Sequence, residues 1–151
     1  MVALGLDFGE ARIGVAVTDP LGLAATPLKT VERTEEGGEF EELADIAENQ
    51  GVEVIVVGMP YRTDGSSGPE VHRVRGFIKE LKKHLSGIEV ETIDERFSSK
   101  QAHQALSDMG SSMQQRRDRV DEMSAQIILT RYLQRRAAGG EGEEEDEDSP
   151  E

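Results

Sequence analysis

The feature that most constrains this chain is a pair of neighbouring segments that alternate bulky with small residues. In Val2-Ala3-Leu4-Gly5-Leu6-Asp7-Phe8-Gly9 the even positions are Val, Leu, Leu and Phe, while Ala, Gly and Asp fill positions 3, 5 and 7. A period of two belongs to a β-strand. Arg12 to Asp19 repeats the pattern, with Ile13, Val15 and Val17 set against Gly14, Ala16 and Thr18. Two such strands joined by a short Gly-containing link predict a β-hairpin with one bulky and one nearly bare face. The bare face lets a helix, another backbone or a ligand come close to the sheet. Asp7 ends the first strand on that side. Taken alone, Asp-Phe-Gly reads first as the start of a turn. Its partners decide which.

Further along, Pro20-Leu21-Gly22 turns the chain, and Leu23 to Arg33 is a third strand whose Pro27 suits a sheet edge. Phe40, Leu43, Ala44, Ile46 and Ala47 follow helical spacing, with Gly51 as the stop. Val54-Ile55-Val56-Val57 is a continuous apolar run, expected of a parallel strand covered on both faces. A loop from Gly58 to Gly68 leads to Pro69, read as the first residue of an amphipathic helix through Leu85. Ile88 to Ile93 is the last strand, followed by Asp94-Glu95-Arg96. Ser98 with Gln101 resembles a capping box that starts a helix through about Met109. A basic loop, Arg116-Arg117-Asp118-Arg119, leads into a final helix. The expected fold is α/β, in the order β-β-β-α-β-α-β-α-α. Three antiparallel strands and then two parallel ones would form a mixed five-stranded sheet flanked by helices.

The formal charge of −14 argues against a nucleic-acid partner only until its distribution is considered. Eight of the 31 acids lie in residues 141–151, which contain no base. The remainder holds 23 acids against 17 bases and is only mildly acidic. The expected division is a folded domain over 1–138 and a disordered acidic tail over 139–151. The absence of cysteine excludes disulfides and thiolate metal sites. With neither a leader segment nor an apolar run of spanning length, a cytoplasmic protein away from membranes is expected.

A nuclease of the two-metal type needs carboxylates from distant positions to meet, because two hard divalent cations about 4 Å apart must contact the reacting oxygens. Asp7 ends the first strand. Glu95 follows the last strand, at the crevice where open sheets bind ligands. On the final helix, Asp121 shares a stripe with Ala125, Ile128 and Tyr132 that should face the sheet, whereas Asp118, Glu122 and Gln126 form a stripe read as solvated. Asp121 is therefore the third candidate; an acid compensating the helix dipole is its simpler reading. Asp94 should point away from Glu95. Asp19 and Asp64 read as turn residues, and Glu91 as solvent-facing.

Gly5-Leu6-Asp7-Phe8-Gly9 with Arg12-Ile13-Gly14-Val15-Ala16, Gly58-Met59-Pro60 with Asp64-Gly65, Asp94-Glu95-Arg96, and Val120-Asp121 with Ser124-Ala125 and Ile127-Ile128-Leu129 together resemble the YqgF/RuvX family over residues 1 to 137. The resemblance implies an RNase H-like fold. It also implies either processing of the 5′ end of pre-16S ribosomal RNA in ribosome biogenesis or Holliday junction resolution in DNA recombination. It places Asp7, Glu95 and Asp121 at the family's acidic triad, with Mg²⁺ or Mn²⁺ as cofactor, and 5′-phosphate and 3′-hydroxyl products. The family's usual Thr pair after Asp-Glu-Arg is Ser98-Ser99 here. The acidic tail lies outside the shared pattern.

Affinity for nucleic acid comes largely from Lys and Arg on phosphates. Arg12, Arg62, Arg96, Arg116, Arg117 and Arg119 adjoin the expected site, and Ser66 and Ser67 precede a helix N-terminus that could meet a phosphate. Lys79, Lys82 and Lys83 read as solvated surface. With two Tyr and four Phe there is little sign of a stacking platform, so recognition of backbone and shape is expected. The partner is then an rRNA precursor or branched DNA, with the ribosome as a further partner and a monomer or homodimer as the state. Two rivals are a sugar-kinase or actin-like ATPase, whose two lobes 151 residues do not provide, and a non-catalytic RNA-binding module. The tail reads as a solubilising extension, or else as a mimic of the nucleic-acid backbone.

Overall fold

The computed structural model describes residues 1–95, 104, 113–139 and 143–144. The five expected strands form, in order, as β1 (Ala3–Phe8), β2 (Arg12–Thr18), β3 (Ala25–Glu32), β4 (Val54–Met59) and β5 (Glu89–Asp94). Between and after them run α1 (Gly38–Gln50), α2 (Pro69–Lys82) and α3 (Met113–Ala137). The expected helix over 98–109 lies outside the described residues. A two-residue strand, β6 (Glu143–Glu144), is added at the edge, so the sheet order is β3-β2-β1-β4-β5-β6.

β1 is antiparallel to β2 with Asp7 opposite Gly14, and parallel to β4 up to Leu6 opposite Val57. β4 and β5 are parallel. The C-terminal ends of β1, β4 and β5 thus share one edge of the sheet. β3 is the opposite outer strand and accommodates Pro27 across from Ala16, beside a bulge. It begins two residues later than expected, because the Asp19 carboxylate accepts from the Leu21, Leu23 and Ala24 N–H groups and extends the turn. These three contacts and that of Gly22 hold the Asp19 carboxyl below the usual carboxylate range, the Leu23 bond foremost.

The two faces divide as the alternation requires. Leu4, Leu6, Ile13, Val15, Ile55, Val57 and Met59 point toward α1 and α2 and pack with Leu43, Val74, Phe77, Ile78 and Leu81. The other face carries Ala3, Ala16, Val54, Val56 and Ile93, and is covered by Ala125, Ile128, Leu129 and Tyr132 of α3. Such burial contributes about 1.5–3 kcal/mol per large side chain.

Helix α3 can lie this low because glycines stand beneath it. A Cβ on Gly5 would be 2.8 Å from Leu129 Cβ, and one on Gly14 would be 1.9 Å from the Asp121 carbonyl oxygen. On Gly58 it would meet Ile128 Cδ1 at 2.6 Å and Glu95 Cβ at 2.9 Å. Gly14, Gly5 and Gly58 lie on adjacent strands β2, β1 and β4 and form a seat across the sheet.

Three readings are corrected. Arg116 to Arg119 belong to α3 rather than to a loop before it. Glu122 and Gln126 are not a solvated stripe: Glu122 accepts from Thr30 Oγ1 at 3.5 Å, and Gln126 Nε2 donates to the Ala25 carbonyl at 2.9 Å. A helix sunk into the sheet contacts the outer strand β3 along its flank as well as the inner strands below. Glu91 likewise faces α3, accepting from the Tyr132 hydroxyl at 2.8 Å. That bond and burial push the Tyr132 hydroxyl up, burial being the larger cause.

Candidate active site

Three carboxylates from distant parts of the chain lie toward the same end of the sheet, each for a local reason. Asp7 is on the bare face of β1, one residue beyond the β1–β4 pairing, and is half-buried. Glu95 follows β5, its N–H donating to the Met59 carbonyl at 3.1 Å. By alternation it shares the α3 face with Ile93, and it is buried at 8% exposure. Gly58 clears the space that its side chain occupies. Asp121 sits where the backbone of α3 crosses Gly14, and Gly14 is the register partner of Asp7. The seat of glycines therefore brings Asp121 toward Asp7.

The electrostatics agree with this proximity. Asp7 is pushed up from 3.8 to about 6, chiefly because burial strips water from its charged form. A side-chain hydrogen bond with Glu95 offsets part of that rise, and the charge of Asp121 adds to it. Asp7 and Glu95 are thus neighbours at the ends of β1 and β5. Asp121 is near enough to repel Asp7, while its Oδ2 accepts from Arg12 Nε at 2.7 Å. Among the described residues, no three acids or histidines stand together as ready ligands for one ion. The donor set is nonetheless hard carboxylate oxygen, and the desolvated Asp7–Glu95 pair fits a divalent cation.

The expected contact residues divide. Arg12 begins β2 beside Asp121. Arg62, Ser66 and Ser67 occupy the loop between β4 and α2 at the same edge and are exposed. Ser66 is tied back to Asp64, its hydroxyl donating to Asp64 Oδ1 at 2.7 Å. Asp64 is a turn residue as expected, held below the usual carboxylate range first by that bond. Arg119 is exposed on α3. Arg116 and Arg117 lie in the first turns of α3, and Arg96 lies outside the described residues.

Sequence reasoning did not find Arg33 and Glu39. Arg33 donates from Nη1 to the Gly9 and Glu10 carbonyls at 3.2 and 3.0 Å, and its guanidinium lies 4.5 Å from the Phe8 ring centroid. Glu39, only 2% exposed, accepts from Arg33 Nε at 3.3 Å and from the Thr34 N–H at 3.1 Å. Burial works against its charge, but the backbone donors, then Arg33, win and hold Glu39 below the usual range. The pair clamps the β1–β2 turn immediately after Asp7. The only sequence signal is an acid in the first turn of α1, which any helix could carry.

The mixed sheet, with carboxylates gathered at the ends of β1 and β5 and a helix across its bare face, is the RNase H-like fold of the resolvases. In fold the chain is similar to RuvC of Thermus thermophilus in complex with a Holliday junction substrate, with a TM-score of 0.59 at 16% identity, covering 94% of this chain and 99% of that one. The fowlpox virus resolvase bound to Holliday junction DNA is similar at a TM-score of 0.55 and 13% identity, over 89% and 97% of the two chains. The sequence profile described as "RuvX: Holliday junction resolvase" matches residues 1–135, and the chain belongs to the RuvX family. A protein of Symbiobacterium thermophilum named "Putative pre-16S rRNA nuclease" is 42% identical over 134 residues, covering 89% of this chain and 92% of that protein. One of the same name from Mycobacteroides abscessus is 36% identical over 142 residues, covering 93% and 86%.

Proposed function

We propose that this chain is a metal-dependent nuclease that hydrolyses phosphodiester bonds of structured nucleic acid, acting on the 5′ end of pre-16S rRNA. Asp7, Glu95 and Asp121 are its catalytic ligands. The observation that carries the reading is the desolvated, hydrogen-bonded Asp7–Glu95 pair with Asp121 beside it, at the edge where three strand ends meet. A bound Mg²⁺ or Mn²⁺ would supply Lewis acidity at the scissile phosphate. The chain's own groups do the remainder. Asp7 and Glu95 hold two of the ligand positions close together, and burial strengthens their fields. The Arg33–Glu39 clamp fixes the turn after Asp7. Arg62, Arg116, Arg117 and Arg119 neutralise the substrate backbone around the site, and Arg96 adds to them beside Glu95. The substrate assignment draws on the relatives' names.

Junction DNA is the second reading, favoured by the family's description as a Holliday junction resolvase. Cleavage of a precursor rRNA fragment, a single-stranded RNA and a four-way DNA junction, each at matched salt, separates them. Preferential cutting of the precursor RNA supports the proposal. Cutting of the junction alone would replace it. Tight RNA binding with no cleavage of any substrate would leave the non-catalytic module.

A further inference from the structure

We infer that Arg12 is an exchangeable counter-ion for Asp121, a positioning residue that holds this carboxylate in the metal-free protein and competes with a divalent cation for it. The inference rests on the metal-site reading above and concerns how that site is kept before it is loaded.

Three observations carry it. Arg12 Nε meets Asp121 Oδ2 at 2.7 Å, with the side chains 50% and 26% exposed. An accessible pair of this kind is weak and can exchange partners. Second, the backbone of Asp121 is fixed against Gly14, where a Cβ would lie 1.9 Å from the Asp121 carbonyl oxygen. The carboxylate can therefore change partners by side-chain rotation while α3 stays in place. Third, Gly14, over which the Asp121 backbone lies, is the register partner of Asp7, so Asp121 stands one strand away from Asp7.

The physics of the exchange is simple. Arg stays protonated at every working pH, so its hold on Asp121 does not switch off by titration. A guanidinium and a dication on one carboxylate repel each other, so each weakens the other's binding. Arg12 thereby draws the third acid away from Asp7 and Glu95, in keeping with the absence of a ready three-acid cluster among the described residues. Metal-free protein avoids three unscreened carboxylates, and some metal affinity is given up in return.

The test is Mn²⁺ binding to the full-length protein by titration calorimetry without nucleic acid. Removing the competitor by Arg12→Gln should tighten Mn²⁺ by about 2- to 5-fold, the worth of an accessible ion pair. Arg12→Lys, which keeps the charge, should stay near wild type. Lys83→Gln, an equal charge change at an exposed pair with Glu80, should leave the affinity unchanged. An equal gain in Lys83→Gln, or equal affinities in wild type and Arg12→Gln, overturns the inference alone. Failure of both wild type and Arg12→Gln to bind Mn²⁺ overturns the metal-site reading and this inference with it.

Discussion

The role proposed for Asp7 carries a cost in stability. Its carboxyl is pushed up to about 6 by burial, so between its ordinary 3.8 and 6 the folded chain holds more proton than the unfolded one. Metal-free stability should therefore fall as pH rises through that window, by on the order of 2 kcal/mol. Asp7→Asn should abolish most of this slope and raise metal-free stability at pH 7.5 by about 1–2 kcal/mol, read from urea midpoints at pH 4 and 7.5. A flat profile in wild type would contradict the assigned burial of this group. Glu39 has the opposite sign: its depressed carboxyl contributes stability above the usual Glu range, lost as pH falls through its folded value. Glu39→Ala leaves Arg33 without its buried partner and should cost about 2–3 kcal/mol in the same assay. It should also slow cleavage, because the turn after Asp7 loosens.

Among the elements, α3 and its glycine seat determine where Asp121 lies. Gly14→Ala forces a Cβ against the backbone of α3 and should cost more than about 2 kcal/mol while also displacing Asp121. Gly58→Ala presses mainly on the movable end of Ile128 and on Glu95. Its stability loss should be smaller than that of Gly14→Ala, and its loss of cleavage out of proportion to that cost. Gly76 in α2 is the control: a Cβ there meets nothing within 4 Å. Gly76→Ala should stabilise by about 0.5–1 kcal/mol, with cleavage unchanged. Thermal midpoints beside initial rates check all three.

At the scale of the whole molecule, the strand alternation and the continuous run at β4 made the sheet and its order legible before any coordinates. The small residues at 3, 5, 14 and 16 also announced that something would lie against them. The positions of Asp7 at the end of β1, Glu95 after β5 and Asp121 on the sheet-facing side of α3 were legible too, because strand ends and helix stripes follow from periodicity; their joint role as metal ligands stays a proposal. What alternation cannot tell is depth. How far α3 sinks decides whether Glu122, Gln126 and Glu91 are wet or paired, and that depends on Gly58 and Gly14 acting together across strands far apart in sequence. The Arg33–Glu39 clamp was illegible for a related reason: an ion pair between a half-buried strand-end arginine and a buried acid at a helix start has no periodic signature. The division at residue 138 stands as a proposal. The β6 pairing is only two residues long, Glu143 and Glu144 against Thr92 and Glu91, and adds little. Removal of residues 139–151 should therefore leave the thermal midpoint nearly unchanged.

The central claim is that Asp7 belongs to a metal-dependent phosphodiesterase site. Cleavage of an RNA spanning the 5′ end of the 16S precursor, by wild type and Asp7→Asn with Mn²⁺ and with chelator, tests it most directly, with folding checked by circular dichroism. Wild type should cut only with the ion and leave 5′-phosphate and 3′-hydroxyl ends. Asp7→Asn should fold and lose more than about a hundredfold in rate, beyond what a supporting residue would cost. Cleavage that survives chelator, or equal rates in the two proteins, would contradict the claim.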